Sequence, residues 1–262
     1  MKCKNKTLYV FLLMIIFFSL ASKDVMPTSI SKKTKSGIKK IESMQKKTVS
    51  DIKEDSEVKK VNIEEENIDN IIDEAISSPK YNTEDYKEFF NSTVFMGDSL
   101  TEAIYGYGFL DSTSVVAEKG KNVMTALEDD VPRVVDLVPD RIIMLYGMND
   151  LECFDNLEEF YDKYKNLINS VKEQLPKTEI IIISTFYVTD KEATEVTALS
   201  KDRVDEANKY IKKMCDEEDL TYLDLRSIIS KNPNFYEPDG VHVIGDFYDI
   251  YLNVLINILK GE

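Results

Sequence analysis

The 262-residue sequence has few of the residue types on which several classes of site depend. It contains one histidine, three cysteines and no tryptophan, and it has no glycine-rich phosphate loop, internal repeat or heptad array. A single histidine leaves too few nitrogen ligands for a usual catalytic zinc site, so we expect neither a metal nor another cofactor. Cys153 and Cys215 could pair in an oxidising compartment, but so few cysteines make no disulfide framework.

Charge is unevenly distributed along the chain. Residues 1–50 hold eleven lysines and two acidic residues, a balance of +9, whereas the net charge of the whole chain is −15. The remaining residues therefore carry −24. Nucleic-acid binding depends on basic surface that faces the phosphates, so we do not expect a nucleic-acid partner for so acidic a domain.

The N-terminus has the pattern of an export signal. Lys2, Lys4 and Lys6 precede an uncharged apolar run over residues 8–20, which ends in the small residues of Ser19-Leu20-Ala21. These features are typical of a secretory signal peptide over residues 1–21. The run is shorter than the about 20 residues that a membrane-spanning helix needs, although an uncleaved signal anchor stays an alternative. Either interpretation predicts an extracytoplasmic protein, secreted or tethered, that contacts the membrane only through this segment.

Three regions follow the predicted signal. Residues 22–57 are rich in Lys, Ser and Thr and poor in large apolar side chains, which predicts a basic disordered linker. Residues 58–90 are predicted to be a helical lead-in, because apolar residues recur at helical spacing over 58–76 and a second short helix is expected over 81–91. Residues 91–262 are predicted to be a single domain.

That domain alternates between short apolar runs and amphipathic segments. The predicted strands are 93–96, 114–117, 141–146, 179–185 and 220–225, and the predicted helices after Ser99 include 121–138, apart from Pro132, 157–175, 199–217 and 243–259. Strands that alternate with helices are typical of a parallel sheet covered on both faces. Such sheets bind ligands at the carboxyl ends of their strands, so we expect the chemistry there.

The first of these strand ends carries a candidate nucleophile. Gly97-Asp98-Ser99 breaks the apolar strand and starts a helix. The free N–H groups and the dipole at the start of a helix favour negative charge. Ser99 could therefore act in catalysis, or it could be only the N-cap of the helix, for which serine is a preferred residue.

The next two strand ends carry candidate oxyanion donors. Gly120 follows the second strand, and Asn149-Asp150 follows the third. Taken singly, Gly120 is typical of a turn and Asn149-Asp150 of a helix cap. Taken together, the backbone N–H groups of Ser99 and Gly120 and the amide of Asn149 could converge as a three-donor oxyanion hole.

The only histidine, His242, has a possible partner close by in the sequence. Asp239 lies three residues earlier, and Gly240 permits the tight turn that would bring its carboxylate to the nearer ring nitrogen. Serine is a weak nucleophile without a base, and an aspartate fixes the tautomer of that base. If Ser99 is a nucleophile, its base has to be His242.

These residues resemble the motif blocks of the SGNH (GDSL) hydrolase family. The blocks are, in chain order, Met96-Gly-Asp-Ser-Leu100, Gly120, Gly147-Met-Asn-Asp150 and Asp239-Gly-Val-His242. They span about residues 93–260 and identify 91–262 as an SGNH hydrolase domain. The resemblance implies an α/β fold, a flavodoxin-like three-layer α/β/α sandwich with a five-stranded parallel sheet.

The resemblance also implies roles for individual residues. It makes Ser99 the nucleophile, His242 the base and Asp239 its orienting acid, with Ser99, Gly120 and Asn149 as the oxyanion donors. Met148 departs from the family pattern, which often has a small or polar residue there, and could shape the acyl pocket.

We therefore predict an exported serine esterase that removes a small acyl group, acetyl above all, from a cell-envelope glycan through an acyl-enzyme on Ser99. An acyltransferase that uses the same intermediate, a lipase and a thioesterase are alternatives. A non-catalytic surface-binding module is a more remote one, because it has no need of a base at this spacing. The segments 103–111 and 151–157 are mixed rather than apolar, unlike a lipase lid. The aromatic residues that could stack on sugars are Tyr105, Tyr107, Phe109 and Phe154, unless they belong to the core.

Overall fold

The computed structural model describes residues 65–261, and within them the chain forms a three-layer α/β/α sandwich around one parallel sheet. The sheet has five strands in the order β2-β1-β3-β4-β5. Their bounds are β1 Thr93–Gly97, β2 Val115–Ala117, β3 Arg141–Leu145, β4 Glu179–Ile183 and β5 Thr221–Leu223. This strand order and the parallel pairing throughout confirm the predicted flavodoxin-like fold.

The α-helices of the described part are numbered in chain order. They are α1 Glu65–Ser77, α2 Thr83–Phe89, α3 Ser99–Gly106, α4 Val123–Leu137, α5 Met148–Cys153, α6 Leu157–Gln174, α7 Asp190–Glu195, α8 Lys201–Glu217, α9 Ser227–Lys231 and α10 Gly245–Lys260. Short 3₁₀ turns cover Thr197–Leu199 and Pro233–Phe235.

The central strands are apolar because helices cover both of their faces. Every residue of β1 is buried, and in β3 and β4 only the first residue of each strand is partly exposed. Strands buried on both sides have near-continuous apolar runs rather than alternation, which explains the Ile180–Ile183 run of β4. On one face α4 packs on α6 and α6 packs on α8, while α10 packs on α1 and α9.

The lead-in is joined to the domain by specific polar contacts as well as by apolar packing. The buried side-chain oxygen of Asn253, on α10, accepts the N–H groups of Lys80 at 2.8 Å and Tyr81 at 3.0 Å. The hydroxyl of Tyr86 donates to Asp249 Oδ1 at 2.6 Å. These bonds place α2 directly against α10. The predicted signal (1–21), the predicted linker (22–57) and positions 58–64 of the predicted helix 58–76 lie outside the described residues.

Several element boundaries differ from those predicted, each for a local reason. Helix α4 continues through Pro132, since the flanking Val131 and Val134 are buried and this packing outweighs the backbone bond that proline cannot make. Strand β4 stops before Thr185, whose N–H bonds to the side chain of Asn208 at 2.8 Å instead of a neighbouring strand. The segment predicted as one helix over 199–217 is a 3₁₀ turn followed by α8.

No helix among residues 65–261 is long and apolar enough to cross a membrane.

Candidate active site

Ser99 is the first residue of α3, at the carboxyl end of β1. The N-cap of this helix is Asp98, whose Oδ1 accepts the N–H of Leu100 at 3.0 Å. Because Asp98 caps the helix, the interpretation of Ser99 as a cap is wrong and its hydroxyl is available for another role. Ser99 Oγ instead lies 3.0 Å from His242 Nε2.

His242 is brought to Ser99 by a tight turn before α10. Gly240 has a φ of +75°, a conformation that favours glycine, and the turn places Asp239 Oδ2 at 2.6 Å from His242 Nδ1. The other carboxylate oxygen of Asp239 accepts the N–H groups of Val241 and His242, each at 3.0 Å. The structure therefore brings together Ser99, His242 and Asp239 in one line of hydrogen bonds.

The Asp239 carboxylate is held in its charged form. Partial burial works against ionisation, but the contact with the His242 ring and the two backbone N–H bonds prevail and lower the pKa of Asp239 to about 2. An ionised Asp239 fixes the proton of the imidazole on Nδ1. His242 Nε2 then faces Ser99 Oγ as an acceptor.

Gly120 lies in a four-residue turn over residues 118–121, which we call the Gly120 turn. The N–H of Lys121 bonds to the carbonyl of Glu118 at 3.1 Å, and Gly120 at the third position has a φ of +80°. A type II turn requires a positive φ at this position, which explains the glycine. The N–H of Lys119 donates to Glu102 Oε2 at 2.9 Å. No hydrogen bond to a described residue uses the N–H of Gly120, so it is available to a ligand.

Asn149 lies in the first turn of α5, inside the helix, and Gly147 occupies the N-cap position. The interpretation of Asn149-Asp150 as a helix cap is therefore wrong. The Asn149 amide nitrogen Nδ2 is 3.0 Å from the carbonyl oxygen of Lys121 and 3.2 Å from Asp98 Oδ2. Its orientation is fixed by the two acceptors. Donation to an oxyanion requires that one of these bonds be shared as the reaction proceeds.

Two buried carboxyl groups support this region, a role that the sequence pattern does not reveal. Asp98 contacts Asn149, and Asp150 Oδ1 accepts the N–H of Val123 at 2.9 Å, which joins α5 to the start of α4. Burial raises the pKa of Asp98 to about 6 even though Leu100, His242 and Asn149 favour its charged form. Burial also raises the pKa of Asp150 to about 7. Their positions within the motifs at the first and third strand ends are the only sequence signal for them.

The aromatic side chains proposed as sugar platforms separate into two groups. Tyr105 and Tyr107 are 53 % and 47 % exposed, whereas Phe154 is buried against Phe160 and Phe109 is only partly exposed. The Tyr107 hydroxyl also donates to Glu237 Oε1 at 2.8 Å. Because Glu237 lies in the turn that carries Asp239 and His242, this bond links that turn to the end of α3.

Other features of the described residues lie apart from Ser99. A cavity of about 430 Å³, lined by residues such as Lys172, Glu179 and Thr221, lies where β4 and β5 begin, at the edge of the sheet opposite to the strand ends discussed above. Within residues 65–261 no group of His, Cys, Asp and Glu side chains could hold a metal ion. Cys153 is exposed, Cys215 is buried, and no disulfide joins them.

The fold and this geometry define a class: a flavodoxin-like α/β protein with a serine, a histidine and an aspartate in line at the carboxyl edge of its sheet. Residues 95–250, more than half of the chain, match the GDSL-like Lipase/Acylhydrolase family. The chain belongs to this family, which confirms the resemblance that its motif blocks indicate.

Solved structures share the fold at low sequence identity. A GDSL-like lipase from Bacteroides thetaiotaomicron is 17 % identical with a TM-score of 0.53, over 76 % of this chain and 100 % of that one. A lipase/acylhydrolase from Enterococcus faecalis is 17 % identical with a TM-score of 0.51, over 64 % and 95 %. A catalytic mutant of an acetylxylan esterase from Geobacillus stearothermophilus is 17 % identical with a TM-score of 0.50, over 65 % and 94 %. A comparison with curated proteins found no match.

Proposed function

We propose that this acylhydrolase-family protein is an exported serine esterase that removes a small acyl group, acetyl above all, from a cell-envelope glycan. The observation that carries the catalytic part is the line from Ser99 Oγ through His242 to Asp239, with contacts of 3.0 Å and 2.6 Å. A hydroxyl in hydrogen-bond contact with a base, itself oriented by a carboxylate, is the arrangement that activates serine.

The proposed reaction has two steps. As Ser99 Oγ attacks the ester carbonyl, its proton passes to His242 Nε2, and the carbonyl oxygen becomes an oxyanion. The tetrahedral intermediate then expels the alcohol, which takes the proton from His242, and an acyl-Ser99 ester remains. Water next gives a proton to His242 and attacks this ester. Collapse of the second intermediate returns the proton to Ser99 and releases the carboxylic acid.

Three groups are suited to stabilise the oxyanion. The N–H of Ser99 belongs to the first turn of α3, where N–H groups have no partner within the helix. The N–H of Gly120 is available, and the Asn149 amide lies beside the Gly120 turn through its bond to the Lys121 carbonyl. The two backbone N–H groups are fixed before the reaction and stabilise developing charge without reorganisation, whereas the Asn149 amide has to share one of its existing bonds with the oxyanion.

Several observations support a short acyl group on a glycan. Tyr105 and Tyr107 expose large parts of their rings, as a surface that stacks on sugars would. One structural neighbour is an acetylxylan esterase by its title. Met148 is buried next to Asn149, where a large side chain would leave less room for a long acyl chain.

Substitution of the two reacting side chains tests the catalytic role. We expect Ser99→Ala and His242→Ala each to abolish turnover of an acetyl ester, and the double variant to be little worse than either, because residues that act as one unit are not additive. Ser170→Ala is the matched control, since its hydroxyl lies on α6 near Gln174. Substantial activity in His242→Ala, or in Ser99→Ala, would contradict the mechanism.

A chain-length series on the wild-type protein tests the substrate class in the same assay. With acetyl, butyryl and octanoyl esters of one alcohol, kcat/KM should fall steeply beyond about four carbons, because added methylenes must fit a small pocket or clash. Acetylated oligosaccharides should release acetate. If octanoyl esters are the best substrates, a lipase or thioesterase replaces the glycan esterase while the Ser99 mechanism stands.

A further inference from the structure

Lys121 is an unusual lysine for its place in the chain. Its side chain is only 8 % exposed, although it follows Gly120 in a surface turn. Lysine is almost never buried unless it is paired with opposite charge. The ammonium group is indeed surrounded by carboxylates, at 2.7 Å from Asp129, 3.6 Å from Asp130 and 3.8 Å from Glu118. Asp130 is itself fully buried.

The main chain of Lys121 also bonds to the two parts of the structure that carry the other proposed oxyanion donors, the Gly120 turn and Asn149. Its N–H closes the Gly120 turn by bonding to Glu118, and its carbonyl oxygen accepts the Asn149 amide at 3.0 Å. The side chain thus joins this point of the backbone to Asp129 and Asp130 on α4. Displacement of Lys121 would move the Gly120 N–H and the Asn149 amide together.

The hydrogen bonds made by the N–H groups of the Gly120 turn show why the position of this turn matters for the oxyanion hole. Of the three N–H groups from Lys119 to Lys121, the first donates to Glu102 and the last to Glu118. Among the described contacts, only the N–H of Gly120 has no acceptor, so this group can donate to a ligand. The turn therefore presents one donor, and its aim depends on how firmly the ends of the turn are held.

We propose that Lys121 is a positioning residue of the oxyanion hole, which holds the Gly120 turn and the Asn149 amide in register through its ion pairs with α4. The proposal rests on the proposed esterase function. Neither the motif blocks nor the family match assigns Lys121 a role. Its effect would be on kcat rather than on KM, because a shift of well under 1 Å in a donor matters most when charge develops in the transition state.

Two variants test this. Lys121→Met removes the charge and keeps an apolar side chain of similar length, and Asp129→Asn removes the nearest partner at an exposed position. We expect kcat for an acetyl ester to fall about tenfold or more in Lys121→Met and by a smaller factor in Asp129→Asn, with KM nearly unchanged. In Lys121→Arg, which keeps the charge, kcat should stay much closer to the wild-type value than in Lys121→Met. Lys165→Met, which breaks the ion pairs of Lys165 with Glu217 and Glu218, is the matched control and should keep wild-type kcat.

A double-mutant cycle with Asn149→Ala separates positioning from general destabilisation. If Lys121 acts through the oxyanion donors, Lys121→Met should lower kcat much less in the Asn149→Ala background than in the wild-type background. Equal losses in both backgrounds, or a kcat within about twofold of wild type in Lys121→Met, would overturn the proposal. Should Lys121→Met fail to fold, the same cycle with Asp129→Asn decides the question, and additivity there overturns it.

Assays of the wild-type protein distinguish failure of the proposal for Lys121 from failure of the proposed function. An active wild-type esterase that is inhibited through Ser99 by a fluorophosphonate probe, combined with an inert Lys121→Met change, contradicts only the role of Lys121. A wild-type protein that neither reacts with the probe nor hydrolyses any ester contradicts the proposed function itself.

Discussion

At the scale of single residues, Asp98 and Ser99 show what local sequence can and cannot assign. Both are favoured N-cap residues, and only the structure shows that Asp98 takes the cap and leaves the Ser99 hydroxyl to His242. Asp239 and His242 were predictable as a pair because they lie three residues apart around a glycine turn. Lys121 was not predictable, since its burial depends on Asp129 and Asp130 approaching it from a helix whose docking no local pattern specifies.

Asn149 is the residue for which a substitution is most informative at this scale. In Asn149→Ala we expect kcat to fall by about 10²–10³ with little change in KM, because the amide would act mainly in the transition state. Asn149→Asp should lower kcat further, because it removes the donor and also places a carboxyl group beside Asp98. Steady-state kinetics on an acetyl ester measure both parameters.

Asn156→Ala provides the control for Asn149. Asn156 caps α6 through the N–H of Glu158, so its loss should cost about 1 kcal/mol of stability without a change in kcat well below the melting temperature. If Asn149→Ala raises KM and leaves kcat alone, Asn149 binds substrate and the oxyanion hole lacks this donor.

At the scale of elements, the strands were predicted well and the helix ends less well. A short apolar run such as 141–146, set between amphipathic segments, is typical of a strand buried on both faces, so β3 was predictable almost to the residue. The end of β4 was not predictable, because it depends on hydrogen bonds between the side chain of Asn208, on α8, and the backbone of Thr185. The path of α4 through Pro132 likewise follows from tertiary packing, which outweighs local preference.

Helix α1 lies upstream of the residues that match the family, yet its apolar side packs on α10. Ile68, Ile71, Ile72 and Ala75 are buried. Between Phe247 and Ile258, every residue of α10 except Asp249 is buried, which fits an element covered on nearly all sides. We infer that α1 is part of the folded domain rather than an appendage.

Truncation of a buried side chain in α1 tests this inference. Ile72→Ala should lower the free energy of unfolding by about 2–5 kcal/mol, the usual cost of removing a fully buried isoleucine side chain. Asn70→Ala, at an exposed position of the same helix, should stay within about 0.5 kcal/mol of wild type. Denaturant unfolding measures both. An unchanged midpoint for Ile72→Ala would mean that α1 is not docked in solution.

At the scale of the whole molecule, the charge of the chain is divided between a basic N-terminal part and an acidic remainder. The balance of +9 over residues 1–50 and −24 over the rest follows from the sequence alone. This division, together with the apolar run over residues 8–20, supports our proposal that the acidic domain works outside the cytoplasm. An enzyme in that position meets envelope polymers, which is consistent with a glycan ester as its substrate.

Export can be tested with the full-length chain in the cells that produce it. Protease added to intact cells should remove residues 51–262, which include the domain, from the cell-associated fraction, as judged by immunoblot, while a cytoplasmic marker stays intact. Leu13→Arg places a charge within the apolar run and should leave the chain protected inside the cell, because a charged residue is costly in the membrane core. Leu13→Val is the matched control and should be exported like wild type. If the wild-type domain is protected in intact cells and cleaved only after lysis, the protein is cytoplasmic and its substrate has to be sought there.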